Sequence, residues 1–149
     1  FKKTLFNLSP ATLVKFYGPS GGFILHENET REQVFLAGGI GITPFLSMLD
    51  YTDQKKLSIK ATLIVSFSTA EDFIYKEKLK EIGKRNPHIK IVYIVGRISK
   101  ELITEYVDKP LNSLYYIVGP TSMVDAMYKI VEGIGVASKD ILTENFVGY

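Results

Sequence analysis

No cysteine occurs among the 149 residues, so the chain has no disulfide, no thiolate metal ligand, no iron–sulfur ligation and no cysteine nucleophile. That fits a reducing compartment, and a cytoplasmic location is the expectation. Charge of one sign is also scarce. Eighteen Lys and Arg against 16 Asp and Glu leave a net +2, and no basic stripe with interleaved aromatics marks a nucleic-acid surface. Long apolar runs are missing too. None approaches the roughly 20 residues that span a bilayer, and no signal peptide opens the chain, so neither nucleic acid nor membrane is expected as a partner. The two histidines, His26 and His88, read as isolated and exposed, and no general base or nucleophile constellation is visible. The first residue is Phe1 and not Met, which leads us to expect a processed chain or a piece of a longer one.

What is present describes a globular domain: 46% hydrophobic and 23% charged residues, enough for a substantial core. Residues 1–25 contain ATLVKFYGPSGGFIL, a β-rich stretch with a glycine-rich turn at Gly18–Gly22. The polar run from His26 to Gln33 reads as a linker or surface loop. Beyond it, short apolar runs alternate with segments of helical period. The strand candidates are Val34–Ala37, Ala61–Ser66, Ile89–Val95, Leu114–Val118 and Ile141–Phe146. They are rich in β-branched and aromatic residues and mostly lack polar alternation, as strands buried on both faces do. Between them, Met123, Met127, Ile130, Val131 and Ile134 share one helical face; Tyr75, Leu79 and Ile82 share another, and Leu102, Ile103 and Tyr106 a third. The alternation predicts an α/β fold, a five-stranded parallel sheet with helices on both faces.

The most informative segment is VFLAGGIGITPFLSML. A strand runs into Gly38, Gly39, Ile40, Gly41 and Ile42, then Thr43 and Pro44, then a helical pattern. Thr43 is a good N-cap, and Pro44 at the first helical position gives up only an N–H that has no helical partner. Two readings stand. The glycines make a strand–helix turn, or they let backbone N–H groups at a helix start approach a pyrophosphate. The usual dinucleotide fingerprint wants a third glycine where Pro44 stands and an acidic residue closing the second strand, where this chain has Ser66, Phe67 and Ser68. A P-loop needs a Gly-Lys-Ser/Thr ending, which is absent. A phospho-acceptor domain would want clustered aspartates at strand ends, and the first strand ends in Ala37-Gly38-Gly39.

AGGIGITP resembles the pyrophosphate loop of the ferredoxin–NADP reductase superfamily. Other landmarks follow in order: YGPSGGF (Tyr17–Phe23) resembles the end of the flavin-binding barrel, and SFSTAEDFIYKEKL (Ser66–Leu79) the segment that receives the adenosine ribose. VGRI (Val95–Ile98) resembles the segment after the third strand, YIVGPTSMVDAM (Tyr116–Met127) the Gly-Pro motif, and TENFVGY (Thr143–Tyr149) the family's terminus. The resemblance implies a Rossmann-like NAD(P)-binding domain over residues 28–149, preceded at 1–27 by a remnant of the flavin barrel. It implies NAD(P)H as cofactor, with FAD in the complete protein and not held by this chain alone. Partners would be a FAD-binding domain or subunit and an acceptor such as a [2Fe-2S] ferredoxin or an oxygenase component. A redox-inactive nucleotide-binding or sensing subunit is the alternative.

By the same resemblance, the pyrophosphate rests on Gly39–Thr43, the adenosine near Ser66, Ser68 and Thr69, and the nicotinamide near Val118, Gly119 and Pro120. NADP-preferring relatives carry an arginine where Ser68 stands, so NADH is favoured, although Lys76, Lys78 or Arg97 would supply charge instead. Val118 replaces the family's cysteine before the Gly-Pro, and Thr121 its second proline. Met123 is carried among the cofactor-binding candidates, although its helical spacing points it and Met127 at the core. Glu144 matches an acidic residue near the flavin–nicotinamide junction, and Phe146 or Tyr149 the terminal aromatic that covers the flavin. The flavin domain's Arg-x-Tyr-Ser/Thr motif does not occur in residues 1–25.

Overall fold

In the computed structural model, residues 2–18 and 21–146 are described; the suggested role of Tyr149, and Pro19 and Ser20 of the glycine-rich turn, lie outside them. Five strands form: β1 (Glu32–Gly38), β2 (Ala61–Phe67), β3 (Ile89–Val95), β4 (Ser113–Gly119) and β5 (Ile141–Asn145). The helices are α1 (Lys2–Phe6), α2 (Ile42–Lys55), α3 (Lys76–Arg85), α4 (Lys100–Tyr106) and α5 (Thr121–Ile134). All strand pairs are parallel, in the order β3-β2-β1-β4-β5. Every residue of β1 and β4, the central pair, is buried. That is why these strands read as continuous apolar runs.

The core has two halves, one on each face of the sheet. On the first, Phe35, Leu63 and Tyr116 meet Phe45 and Leu49 of α2 and Leu79 and Ile82 of α3. Phe35 stacks on Phe45 with ring centroids 4.9 Å apart and meets Tyr116 edge-on at 5.2 Å. On the second, Leu36, Tyr115 and Ile117 meet Ile103 of α4 and Val124, Met127 and Val131 of α5. Each fully buried Leu, Ile or Phe contributes about 1.5–3 kcal/mol by leaving water. Helix ends are specified locally. Ser99 accepts the Leu102 N–H at the start of α4, and Gly135, at φ 109°, closes α5 in the left-handed conformation that glycine adopts without strain.

Three expectations fail. The described part of residues 1–25 contains α1 and no strand. A strand needs a neighbour for its N–H and C=O groups, and this segment has none; Leu13, Phe16 and Tyr17 are 97%, 80% and 83% exposed. The polar run His26–Gln33 is not wholly a surface loop either, because Glu32 and Gln33 enter β1 and are buried. Gln33 tolerates burial because its amide is bonded at both ends. Its Nε2 donates to the His26 carbonyl at 3.0 Å, and its Oε1 accepts from the Tyr116 hydroxyl at 3.1 Å. His26 is therefore not isolated: its backbone N–H donates to Tyr116 Oη at 3.2 Å, and its Nδ1 lies 2.5 Å from the same oxygen.

Candidate functional site

The order β3-β2-β1-β4-β5 reverses direction between β1 and β4, so the connections after these two strands leave on opposite faces and open a crevice at their carboxyl ends. Gly38 ends β1 there and Gly119 ends β4. The chain after Gly38 coils into a 3-10 turn, Gly39–Gly41, that runs directly into α2. Gly39 has φ +53°, a conformation that costs a glycine nothing. Gly41 passes so close to β4 that a Cβ there would stand 2.3 Å from the Val118 carbonyl oxygen.

This geometry corrects the expected cap. Gly41, not Thr43, is the N-cap of α2. Thr43 is already helical, and its hydroxyl donates to the Ile40 carbonyl at 3.0 Å. The glycine turn itself starts the helix, so no side-chain cap is needed. Pro44 becomes the third helical residue and still gives up an N–H that has no partner within the helix. Ile42 is fully buried, and its N–H is bonded to the carbonyls of Gly39 and Ile40, so it supports the loop from within.

A cleft of about 640 Å³ opens over this turn, within the range of small-molecule sites. Of the predicted residues it gathers Gly38, Gly39, Ile40, Ser66, Ser68, Arg97, Pro120 and Met123. Gly41, which closes the turn, and Ile42, Thr43 and Pro44, which open α2, do not line the cleft. Val118 is fully buried in the core, opposite Ala37 of β1 and Glu144 of β5. Thr69 does not line the cleft but holds a residue that does. Asp72 Oδ2 accepts from the Thr69 backbone N–H at 3.2 Å and from its hydroxyl at 3.0 Å, and Asp72 lines the cleft beside Ser68. Phe67, Ile74 and Gly96 complete the wall.

The sequence reading missed Asp72, although the spacing Thr69-x-x-Asp72 is a helix-start signature that would have marked it. Of the three cations considered for the adenosine end, only Arg97 lines the cleft. Lys78 pairs with Asp50 on α2, and Lys76 lies over the rings of Phe73 and Tyr93, 5.8 and 5.9 Å from their centroids. Glu144 and Phe146 sit apart from the dinucleotide cleft. Glu144 is exposed in a larger hollow of about 920 Å³ along β5, which lacks a helix start. Phe146 follows β5, packs against the first core half and donates its N–H to the Gly119 carbonyl at 2.9 Å.

The segment leading into β1 is anchored by ion pairs. Arg31 bridges Glu29 (2.7 Å) and Asp140 (2.9 Å), tying the linker to the turn before β5. Its hydrogen bonds bring the Glu29 carboxyl down to about 2. Burial pushes the Tyr116 phenol up to about 12, so it remains a neutral hydrogen-bonding group. Among the described residues no cluster of His, Asp and Glu has the arrangement of a metal site, and no helix is long and apolar enough to cross a membrane.

Known proteins resemble this chain in sequence and in fold. The chain is 30% identical over 147 positions to NADH-cytochrome b5 reductase 1 of Dictyostelium discoideum, covering 87% of this chain and 50% of that protein. It is 27% identical over 148 positions to NADH-cytochrome b5 reductase 1 of Pyricularia oryzae, covering 89% and 48%. The chain thus spans about half the length of these relatives. Among solved structures, the CS-b5R domains of human Ncb5or in the NAD+ form superpose with a TM-score of 0.77 at 21% identity, over 96% of this chain and 45% of that one. The Amycolatopsis cytochrome P450 reductase GcoB gives 0.76 at 21% identity, over 88% and 43%. Both share the fold, a five-stranded parallel sheet of the ferredoxin reductase type. Residues 35–129, from the second half of β1 into α5, match the oxidoreductase NAD-binding domain family, and the chain belongs to that family.

Proposed function

We propose that this chain is the NADH-binding domain of a FAD-dependent oxidoreductase that passes electrons to a protein acceptor. The observation that carries the reading is the cleft at the switch point, where a glycine turn with a helix start behind it faces Ser66, Ser68 and Arg97 across open space. The residues fit a dinucleotide. The N–H groups of the glycine turn and the positive end of α2 suit a pyrophosphate, and the cleft is long enough to reach the ends of β1, β2 and β4. The turn Gly38–Gly41 would hold the pyrophosphate, Ser66 and Ser68 the adenosine end, with Thr69 holding Asp72 beside them, and Gly119 and Pro120, which follow the buried Val118, the nicotinamide end. When bound, NADH supplies a hydride and FAD accepts it; this domain supplies orientation and exclusion of water. FAD would be carried by a flavin-binding domain, joined to this one or on a partner subunit, with Glu144 and Phe146 at the junction.

NADH is favoured over NADPH for two reasons. Ser68 offers no guanidinium to a 2′-phosphate, and the Asp72 carboxylate beside it would repel one while accepting a hydrogen bond from a ribose hydroxyl. Anaerobic mixing of the flavin-containing protein with each nucleotide tests the reading. NADH should bleach the flavin absorbance at least about tenfold more efficiently than NADPH. Equal rates, or no bleaching by either, would refute it.

A further inference from the structure

Four glycines meet at the switch point, and they are glycine for different reasons. Gly39 needs its positive φ, and Gly41 must clear the Val118 carbonyl. Gly38 has φ −116° and ψ 117°, ordinary strand values, and Gly119 also lacks a positive φ. Neither backbone demands glycine. What bars a side chain at both is one atom. A Cβ on Gly38 would stand 2.0 Å from Met123 Sδ, and one on Gly119 would stand 2.7 Å from the same sulfur. The Met123 thioether, reaching back from the first turn of α5, therefore lies across both glycines in the crevice between β1 and β4. A second cavity of about 410 Å³ adjoins the cleft and is bordered by Met123 together with Ile98, Met127 and Ile130. Ser66, Gly96, Arg97 and Met123 line both spaces, and Met123 is the long apolar side chain in that shared boundary.

We propose that Met123 is a positioning residue of the dinucleotide cleft. Its thioether fills the gap that Gly38 and Gly119 leave, gives the cleft an apolar floor between the glycine turn and the Gly-Pro turn, and closes it from the cavity under α5. This rests on the dinucleotide reading above. Methionine suits the task because its unbranched, polarisable chain follows an irregular gap that a branched residue would not. Trimming it joins the two spaces, and a ligand spanning the switch point loses the surface it lies on. Ser68 and Asp72 at the adenosine end border the dinucleotide cleft and not the second cavity, and they keep their surroundings.

The test is a set of variants in the purified protein: Met123→Ala, Gly38→Ala, Gly119→Ala, and each glycine change combined with Met123→Ala. NADH and 5′-AMP affinities are read by calorimetry and melting temperature by scanning. Met123→Ala is expected to weaken NADH by about tenfold and to leave 5′-AMP, which carries only the adenosine half, within about twofold. Each glycine change alone forces the sulfur up into the cleft and weakens NADH by at least about tenfold. Adding Met123→Ala removes that obstruction and returns the affinity to that of Met123→Ala alone. If Gly38→Ala does not fold, Gly119→Ala carries the same test, since its contact is longer and only a flexible chain end must yield. The proposal is overturned if the double variants are as weak as the losses combined, or if Met123→Ala binds NADH like the parent. No NADH binding by the parent protein would refute the dinucleotide reading, and this proposal with it.

Discussion

At the scale of the residue, the cleft is a set of clearances measured in tenths of an ångström. Gly41 is the most exacting. Its missing side chain faces a carbonyl of β4, and two main chains cannot move apart without breaking the β1–β4 register. Gly41→Ala should therefore destabilise the fold by about 2 kcal/mol or more and abolish nucleotide binding, as denaturant unfolding and titration would show. Gly133, in the last turn of α5 with nothing within 4 Å of a built Cβ, is the contrasting case. Gly133→Ala should raise stability by about 0.5 kcal/mol and leave binding alone. Discrimination belongs to this scale as well. Ser68→Arg with Asp72→Ser exchanges a repelling carboxylate for a bidentate donor, and the NADH:NADPH affinity ratio should fall by about tenfold or more. A ratio unmoved by both changes would place the 2′-position elsewhere.

At the scale of the element, the segment leading into β1 is held by side chains, not by regular structure. Tyr116 fastens His26 and Gln33, and Arg31 clasps Glu29 and Asp140. Because the Glu29 carboxyl is lowered in the folded state from 4.5 to about 2, its stabilisation is complete above its unfolded value. It is lost as pH falls from about 5 towards 2. Melting temperature against pH should accordingly drop more steeply for the parent than for Glu29→Gln in that acid window, while at pH 7 the variant loses about 1 kcal/mol or less, as a partly exposed pair does. Curves that remain parallel would show that the clasp contributes nothing. Tyr116→Phe should cost about 1–2 kcal/mol, because the buried Gln33 carbonyl loses its donor. The strands and the helices from α2 onward were largely legible in the sequence, since burial on both faces writes continuous apolar runs and these helices each bury one face; α1, with no buried residue, was not. The start of β1 was not. Glu32 and Gln33 look like surface residues until the partners that satisfy them, Thr62, Tyr116 and His26, are brought near. The N-terminal stretch misled in the opposite way, because apolar β-formers such as Leu13 and Val14 form no strand without a neighbour to pair with.

For the whole molecule, the alternation of strand and helix dictates a parallel sheet, and the sheet order dictates where a ligand meets it. The glycine turn, Ser66, Ser68 and Pro120 were named through the family resemblance, and the fold brings them together along one cleft at the strand ends. Asp72 was not named, because a local turn brings it in. Met123 was carried as a candidate by the resemblance, while helical periodicity alone assigns its side chain to the core. On the proposed reading, the amides of the Gly39–Gly41 turn, with the start of α2 behind them, receive the dinucleotide pyrophosphate. Titrating the isotopically labelled protein with NADH and following backbone amide shifts tests it most directly. The largest saturable shifts are expected at Gly38–Thr43, with secondary ones at Ser66–Ser68 and Gly119. Shifts confined to the hollow along β5, or none at millimolar NADH, would contradict it.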